Sequence, residues 1–168
     1  CTRARFLVGR AALHALYPCG PAERGQIEVP MPAPVHHGTA GVQAQVLTLL
    51  TGAAADNGFQ GLGGRYSRGG LLTYASRHES DAISFRRRDT GAAVALQLDT
   101  SPVPADPRQR ELLVAIMQDA ASEADKLVFA EIWQQRVRRM LVDFADDPRV
   151  VKLTWLAAAN PRLDAKAA

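Results

Sequence analysis

The sequence contains two cysteines, three lysines (none before Lys126) and 6% aromatic residues. Each scarcity removes a class of function. Two cysteines cannot build a disulfide framework, although one Cys1–Cys19 bridge is open to them. No Cys-x-x-Cys is present, nor any Cys/His cluster at zinc spacing, so no metal is expected. The missing lysine excludes the GxxxxGK[ST] phosphate loop from the first 125 residues, because that lysine is what reaches the phosphates. No apolar run approaches the roughly 20 residues that a membrane-spanning helix requires. Aromatic interleaving among the basic residues is thin, which argues against a stacking surface for single-stranded nucleic acid.

What remains is ordinary globular material. The chain has 168 residues, 47% apolar and 22% charged, enough for the core of a single domain. Net charge is +3 and unevenly placed: residues 1–90 carry +4 and residues 91–168 carry −1. That basic front half is well short of a polybasic arm.

The first residue is Cys1 rather than Met. Three readings follow: a segment cut from a longer chain, the lipidated cysteine of a bacterial lipoprotein, or a nucleophile freed by cleavage. Lipidation would place the protein in a bacterial envelope and supply its sole membrane contact. Otherwise a cytoplasmic setting is expected.

Periodicity defines the elements. RARFLVGRAALHALY predicts a helix with Phe6, Leu13, Leu16 and Tyr17 on one face. A turn through residues 18–25 completes an N-terminal segment, 1–25. QIEV (26–29) is a short strand, and the alternating prolines of 30–38 predict an extended linker. Thr39 is placed to cap a helix over 40–55, with Val42, Val46, Leu49, Leu50 and Ala53 as the buried stripe. A glycine-rich loop, 56–70, follows. LLTYAS, AISFRRR and AAVALQL alternate with period two and read as an antiparallel meander, with a tight turn at 88–91. Asp106 and Pro107 open a helical segment, 107–145. Ser122 with Asp125 caps its second half. VVKLTWL (150–156) is a last strand, and Trp133 and Trp155 are expected in the core. The fold class is α+β: an antiparallel sheet of four to five strands with helices packed on one face, in a single domain.

The candidate ligand-binding residues are Arg65, Arg68, Tyr74, Arg77, His78, Arg86 and Arg88. In the glycine loop, Arg65 and Arg68 supply guanidinium groups for an anion. The loop follows a helix and precedes a strand, the reverse of a dinucleotide-binding turn, so its ordinary reading is a flexible connector. Arg86 and Arg88 share one face of their strand, while Arg87 opposes them beside Ile83 and Phe85. Their ordinary reading is a charged strand end that blocks edge pairing. His78 sits with Glu79, Asp81, Ser76 and Ser80, a composition that suits acid–base work and equally suits a turn. His36-His37 reads as a surface loop pair.

Gly63, Gly64, Arg65, Tyr66, Gly70 and Tyr74 resemble the GGRW-x-x-x-G…Y segment of RES-type toxins, which consume NAD. The resemblance covers about fourteen residues. Glu79 is a poor match for the family's downstream glutamate, and the rest of the chain does not follow.

No nucleophile, base and oxyanion donor fall into a recognisable frame, so no catalytic residue is assigned and no cofactor is expected. The leading expectation is a non-catalytic domain that binds or assembles with another protein. The alternatives are an anionic-ligand site on the arginines, with nucleic acid the less favoured anion, and a small enzyme working at the glycine loop.

Overall fold

The structure is a computed structural model that describes residues 4–56 and 63–157, the side chain of Arg65 excepted. The helices are α1 (Arg5–Leu16), α2 (Ala40–Thr51), α3 (Arg108–Met117) and α4 (Glu123–Arg138). The last continues into a π-helical turn, Arg139–Asp143. The strands are β1 (Ile27–Met31), β2 (Leu72–Tyr74), β3 (Ile83–Arg87), β4 (Ala93–Leu98) and β5 (Val151–Leu156). Of the described residues, those up to Leu98 together with 151–157 form one compact unit; Asp99–Val150 forms a second. None of the described helices is long and apolar enough to cross a membrane.

The expected α+β class holds, with one correction. The sheet is mixed, in the order β2-β1-β3-β4-β5. β3, β4 and β5 form the antiparallel meander that alternation predicts. β2 does not join it by pairing with β3; it runs parallel to β1, with α2 in the crossover between them. A parallel neighbour requires such a crossover, and residues 32–71 supply it.

The proline segment is a second correction, since β1 extends through Pro30 to Met31. The ladder explains why proline is tolerated. β1 pairs with β3 only at Ile27 and Glu28, and with β2 only from Val29 to Met31. The Val29 N–H donates to Leu71 O on the β2 side at 2.7 Å. Successive N–H groups alternate sides. The missing N–H of Pro30 therefore faces the β3 side, where the ladder has already ended.

One sheet face carries the core: Ile27, Val29, Met31, Ile83, Phe85, Val94 and Leu96 pack with Val8, Ala12 and Leu16 of α1 and Ala44 and Leu47 of α2. The helices bury other faces than their large residues suggest. In α2 the buried positions are Ala40, Ala44, Leu47 and Thr51, whereas Val42 and Leu49 are 51% and 77% exposed. In α1 Leu7, Val8, Gly9 and Ala12 go inside and Phe6 stays out. Trp155 is 57% exposed rather than in the core, because β5 is an edge strand.

Two of the expected caps are present. Asp106 Oδ1 accepts from the Arg108 N–H at 2.9 Å. Ser122 Oγ accepts from the Asp125 N–H at 3.2 Å, while Asp125 Oδ2 accepts from the Ser122 N–H at 3.0 Å, closing a capping box at the start of α4. Thr39 does not cap α2; its hydroxyl accepts from Gln43 Nε2 instead.

The Ser122 side chain and backbone hold the Asp125 carboxyl below its usual range. A depressed folded pKa means stability that is present above the ordinary carboxylate range and lost as pH falls through the depressed value. Ser122→Ala is expected to lower stability by about 1 kcal/mol in urea melts at neutral pH. The difference from wild type should shrink in acid. A pH-independent difference would assign the loss to the Ser122 Oγ bond to the Asp125 N–H alone, with no share from the Asp125 carboxylate.

Candidate functional site

The arginines predicted to meet an anion are spread over the sheet unit. Arg68 lies at the C-terminal end of α2, its Nη1 only 3.4 Å from the position a side chain on Gly52 would take. Arg24 joins it there, donating from Nη2 to Leu49 O at 3.2 Å. Two cations thus meet the negative end of the helix dipole. Arg65 belongs to a short 3-10 turn, Gly64–Tyr66, and its side chain lies outside the described residues. The second half of the glycine loop is tied down: Ala54 N–H donates to Arg68 O and Leu72 N–H to Ala54 O, at 3.1 and 3.0 Å. Residues 57–62 and Cys1 lie outside the described residues; Cys19 is an exposed free thiol.

At the β3 end, Glu28 stands between the two arginines that share its face. Arg86 is its cross-strand neighbour, and Arg88 Nε lies 3.7 Å from Glu28 Oε1. The arginine not singled out, Arg87, is the most engaged. Its Nη1 donates to Leu16 O at 2.8 Å, its guanidinium stacks 4.0 Å above the Tyr17 ring, and Nε and Nη2 grip Asp89. It joins the C-terminal end of α1 to the β3–β4 turn. The bond to Arg87 holds the Asp89 carboxyl below its usual range. The run of three arginines is thus partly neutralised and partly structural.

His78 is placed differently. The loops that leave the C-terminal ends of the parallel pair, 32–39 after β1 and 75–82 after β2, are joined by Glu79 N–H to Pro32 O at 2.8 Å and Ala75 N–H to Met31 O at 3.0 Å. This brings His37 and His78 into a stack, ring centroids 4.8 Å apart and 29° between planes. Asp81 Oδ1 lies 3.4 Å from His78 Nε2. These side chains line a cavity of about 190 Å³ together with Arg5, Thr39 and Gln43. The Nη1 of Arg5 is buried and has no hydrogen-bond partner. Burial pushes the Arg5 pKa down, and the nearby Asp81 carboxylate opposes this in part. Arg77 is exposed on the same loop. Tyr74, half-buried at the end of β2, lines a separate groove of about 690 Å³ along α2 with Val35, Ala44 and Leu49. Burial raises its phenol pKa.

The arrangement therefore brings His78 together with His37, Asp81 and Arg5, and leaves Arg68, Arg86 and Arg88 elsewhere. α2 is 12 residues long, about 18 Å. Arg68 is at one end of it and His78 at the other. Among the described residues no group of three or more His, Cys, Asp or Glu is placed to hold a metal ion.

The helical unit, 99–150, presents a different kind of surface. Its buried apolar residues are Val103, Ile132, Val137, Met140 and Val150. α3 contributes none. Leu113, Val114 and Met117 of α3 stay exposed, as do Leu127 and Val128 of α4; Met117 and Leu127, on either side of the turn between the helices, are 79% and 72% exposed. Trp133, expected in the core, is half-buried and stacks on Phe129 at 5.9 Å.

No protein-family model matches the chain, and no curated protein is similar to it. The likeness of residues 63–74 to RES-type toxins thus goes no further than that short segment.

Proposed function

We propose that the protein is a non-catalytic binding or assembly domain that docks a partner protein on the α3–α4 hairpin. The observation that carries this reading is the apolar outer surface of α3 and α4: a ten-residue helix with no buried position and five exposed aliphatic side chains across the pair. Single exposed apolar residues are commonplace, but five on two neighbouring helices of one small unit point to an interaction surface. Two helices form an open layer, and an amphipathic helix is the shape that closes it, its apolar stripe laid between them. The flanking charges are of both signs, Arg110, Glu111, Glu123 and Lys126 among them, so pairing at the rim would fix orientation more than affinity. A lipid on Cys1 would place that partner in a bacterial envelope.

Met117→Glu combined with Leu127→Glu tests the reading. Both side chains are already in water, so the melting curve should move by no more than about 0.5 kcal/mol. Partner recovery by photo-crosslinkers placed at Val114 and Val128 should fall by tenfold or more, the loss expected when a docking centre worth about 2 kcal/mol is removed. Crosslinked products unchanged by the two glutamates would sink the proposal. Light scattering on the same pair distinguishes a second copy of this chain from a foreign partner.

A further inference from the structure

We propose, independently of the hairpin, that the loops after β1 and β2 form a binding site for a small oxyanion, a phosphoryl group, with Arg5 as its charge partner. Four other arginines of the sheet unit sit where a cation belongs. Arg24 and Arg68 lie at the C-terminal end of α2, Arg87 reaches Leu16 O at the end of α1, and Arg88 lies beside Glu28. Arg5 is the reverse. It lines a cavity at the N-terminal end of α2, the positive end of the dipole, and the first turn of that helix carries no acidic residue. Its Nη1 is sealed from water without an acceptor, and no described carboxylate forms an ion pair with it. Among the described residues the carboxylate near this partly buried cation is Asp81, which is largely exposed and lies against His78, so the Arg5 charge is only partly balanced.

The remaining walls suit an oxyanion. His37 and His78 each offer a ring nitrogen, and Gln43 and Ser80 add an amide and a hydroxyl. The backbone is not the cradle, because the Ala40 and Gly41 N–H groups already donate to His37 O and Val35 O. Side chains and the helix field would hold the ligand. The position is also the one at which parallel strands with a crossover helix bind ligands, outside the carboxyl ends of the strands. At about 190 Å³ the cavity suits a phosphoryl group with a small substituent. Asp81, on the rim and largely exposed, is the one carboxylate lining the cavity. It would accept from a hydroxyl beside the phosphoryl group, which favours a small hydroxylated monoester over a bulky one.

Thermal melts and calorimetry of the full chain with inorganic phosphate and with glycerol phosphate, chloride serving as control, test the site. Both probes should raise the melting temperature saturably, as any ligand of the folded state does. Preference for one identifies free phosphate or a monoester as the ligand class. Arg5→Met should abolish the response to both probes, because it removes the cation that partners the oxyanion. His37→Asn with His78→Asn should leave the fold intact and weaken both probes about tenfold. That pair decides the matter alone if the Arg5 variant does not fold. No saturable response in the wild type, or a response unaltered in the histidine pair, overturns the proposal.

Discussion

Phe85→Ala is expected to cost the sheet unit about 3–5 kcal/mol, the range for truncating a fully buried phenylalanine. A domain of this size holds about 5–15 kcal/mol in all, so the variant should stand near the edge of unfolding at room temperature. The side chain is completely buried on β3, flanked by β1 and β4, and shares its face with Ile83. Trp155→Ala is the control. Trp155 lies opposite Val94, which is directly opposite Phe85 in the next pair of strands, so all three share a sheet face. It is nevertheless more than half exposed at the edge. The larger aromatic should therefore be the cheaper loss, about 1 kcal/mol or less. Urea midpoints followed by circular dichroism read both. Equal costs would mean that the core does not centre on β3.

The contrast marks where the sequence informs and where it stops. Alternation in AISFRRR, AAVALQL and VVKLTWL identifies three strands and their inward faces, because a strand repeats every two residues whatever its neighbours are. It carries no record of those neighbours. β2 looks like the first strand of the same meander, yet it lies on the far side of β1, a placement set by the crossover through α2. Nor does alternation say which strand is the last, so Trp155 reads as core from the pattern and is exposed at the edge. Local chemistry is more dependable: Ser122 with Asp125, and Gly91 at φ +73° in the β3–β4 turn, act where they are written.

For the site, residue type was legible and association was not. The His36-His37 pair and the cluster around His78 stand apart in the chain as two unremarkable loops. The pairing of β1 with β2 brings their following loops together and stacks His37 on His78. Arg5 has no local signal at all, since a basic residue early in an amphipathic helix is usually solvated. The run Arg86-Arg87-Arg88 is conspicuous, and its middle member is committed to the Leu16 carbonyl, Tyr17 and Asp89. A count of basic residues thus overstates the charge available to a ligand at the sheet end and misses the cation at the α2 N-terminus.

Gly9 tests the helix pair that carries that cation. A Cβ on Gly9 would lie 2.5 Å from Leu50 Cδ1 and 3.2 Å from Leu47 Cδ2, so α1 and α2 approach closely where α1 has no side chain. Small residues, Gly9, Ala12 and Ala44, stand among the buried leucines and valine of the two helices, while Phe6 and Leu49 lie outside. Two effects oppose each other in Gly9→Ala. Alanine gains about 1 kcal/mol of helix propensity over glycine. The clash is with the tip of Leu50, a half-buried side chain able to rotate, so the net change should be near zero. Gly9→Leu has no such outlet, because Leu47 is fully buried. Overpacking of this kind costs about 1–3 kcal/mol, and parting the helices exposes further apolar surface. Stability across Gly, Ala, Val and Leu at this position should hold at alanine and then fall with side-chain size, read from urea midpoints. Leucine as stable as glycine would refute the close approach. α1 also bears Arg5 four residues before Gly9, about one helical turn away. Forcing the helices apart draws the guanidinium from the end of α2, so the phosphate response should weaken in the leucine variant even below its melting range, while the alanine variant keeps it.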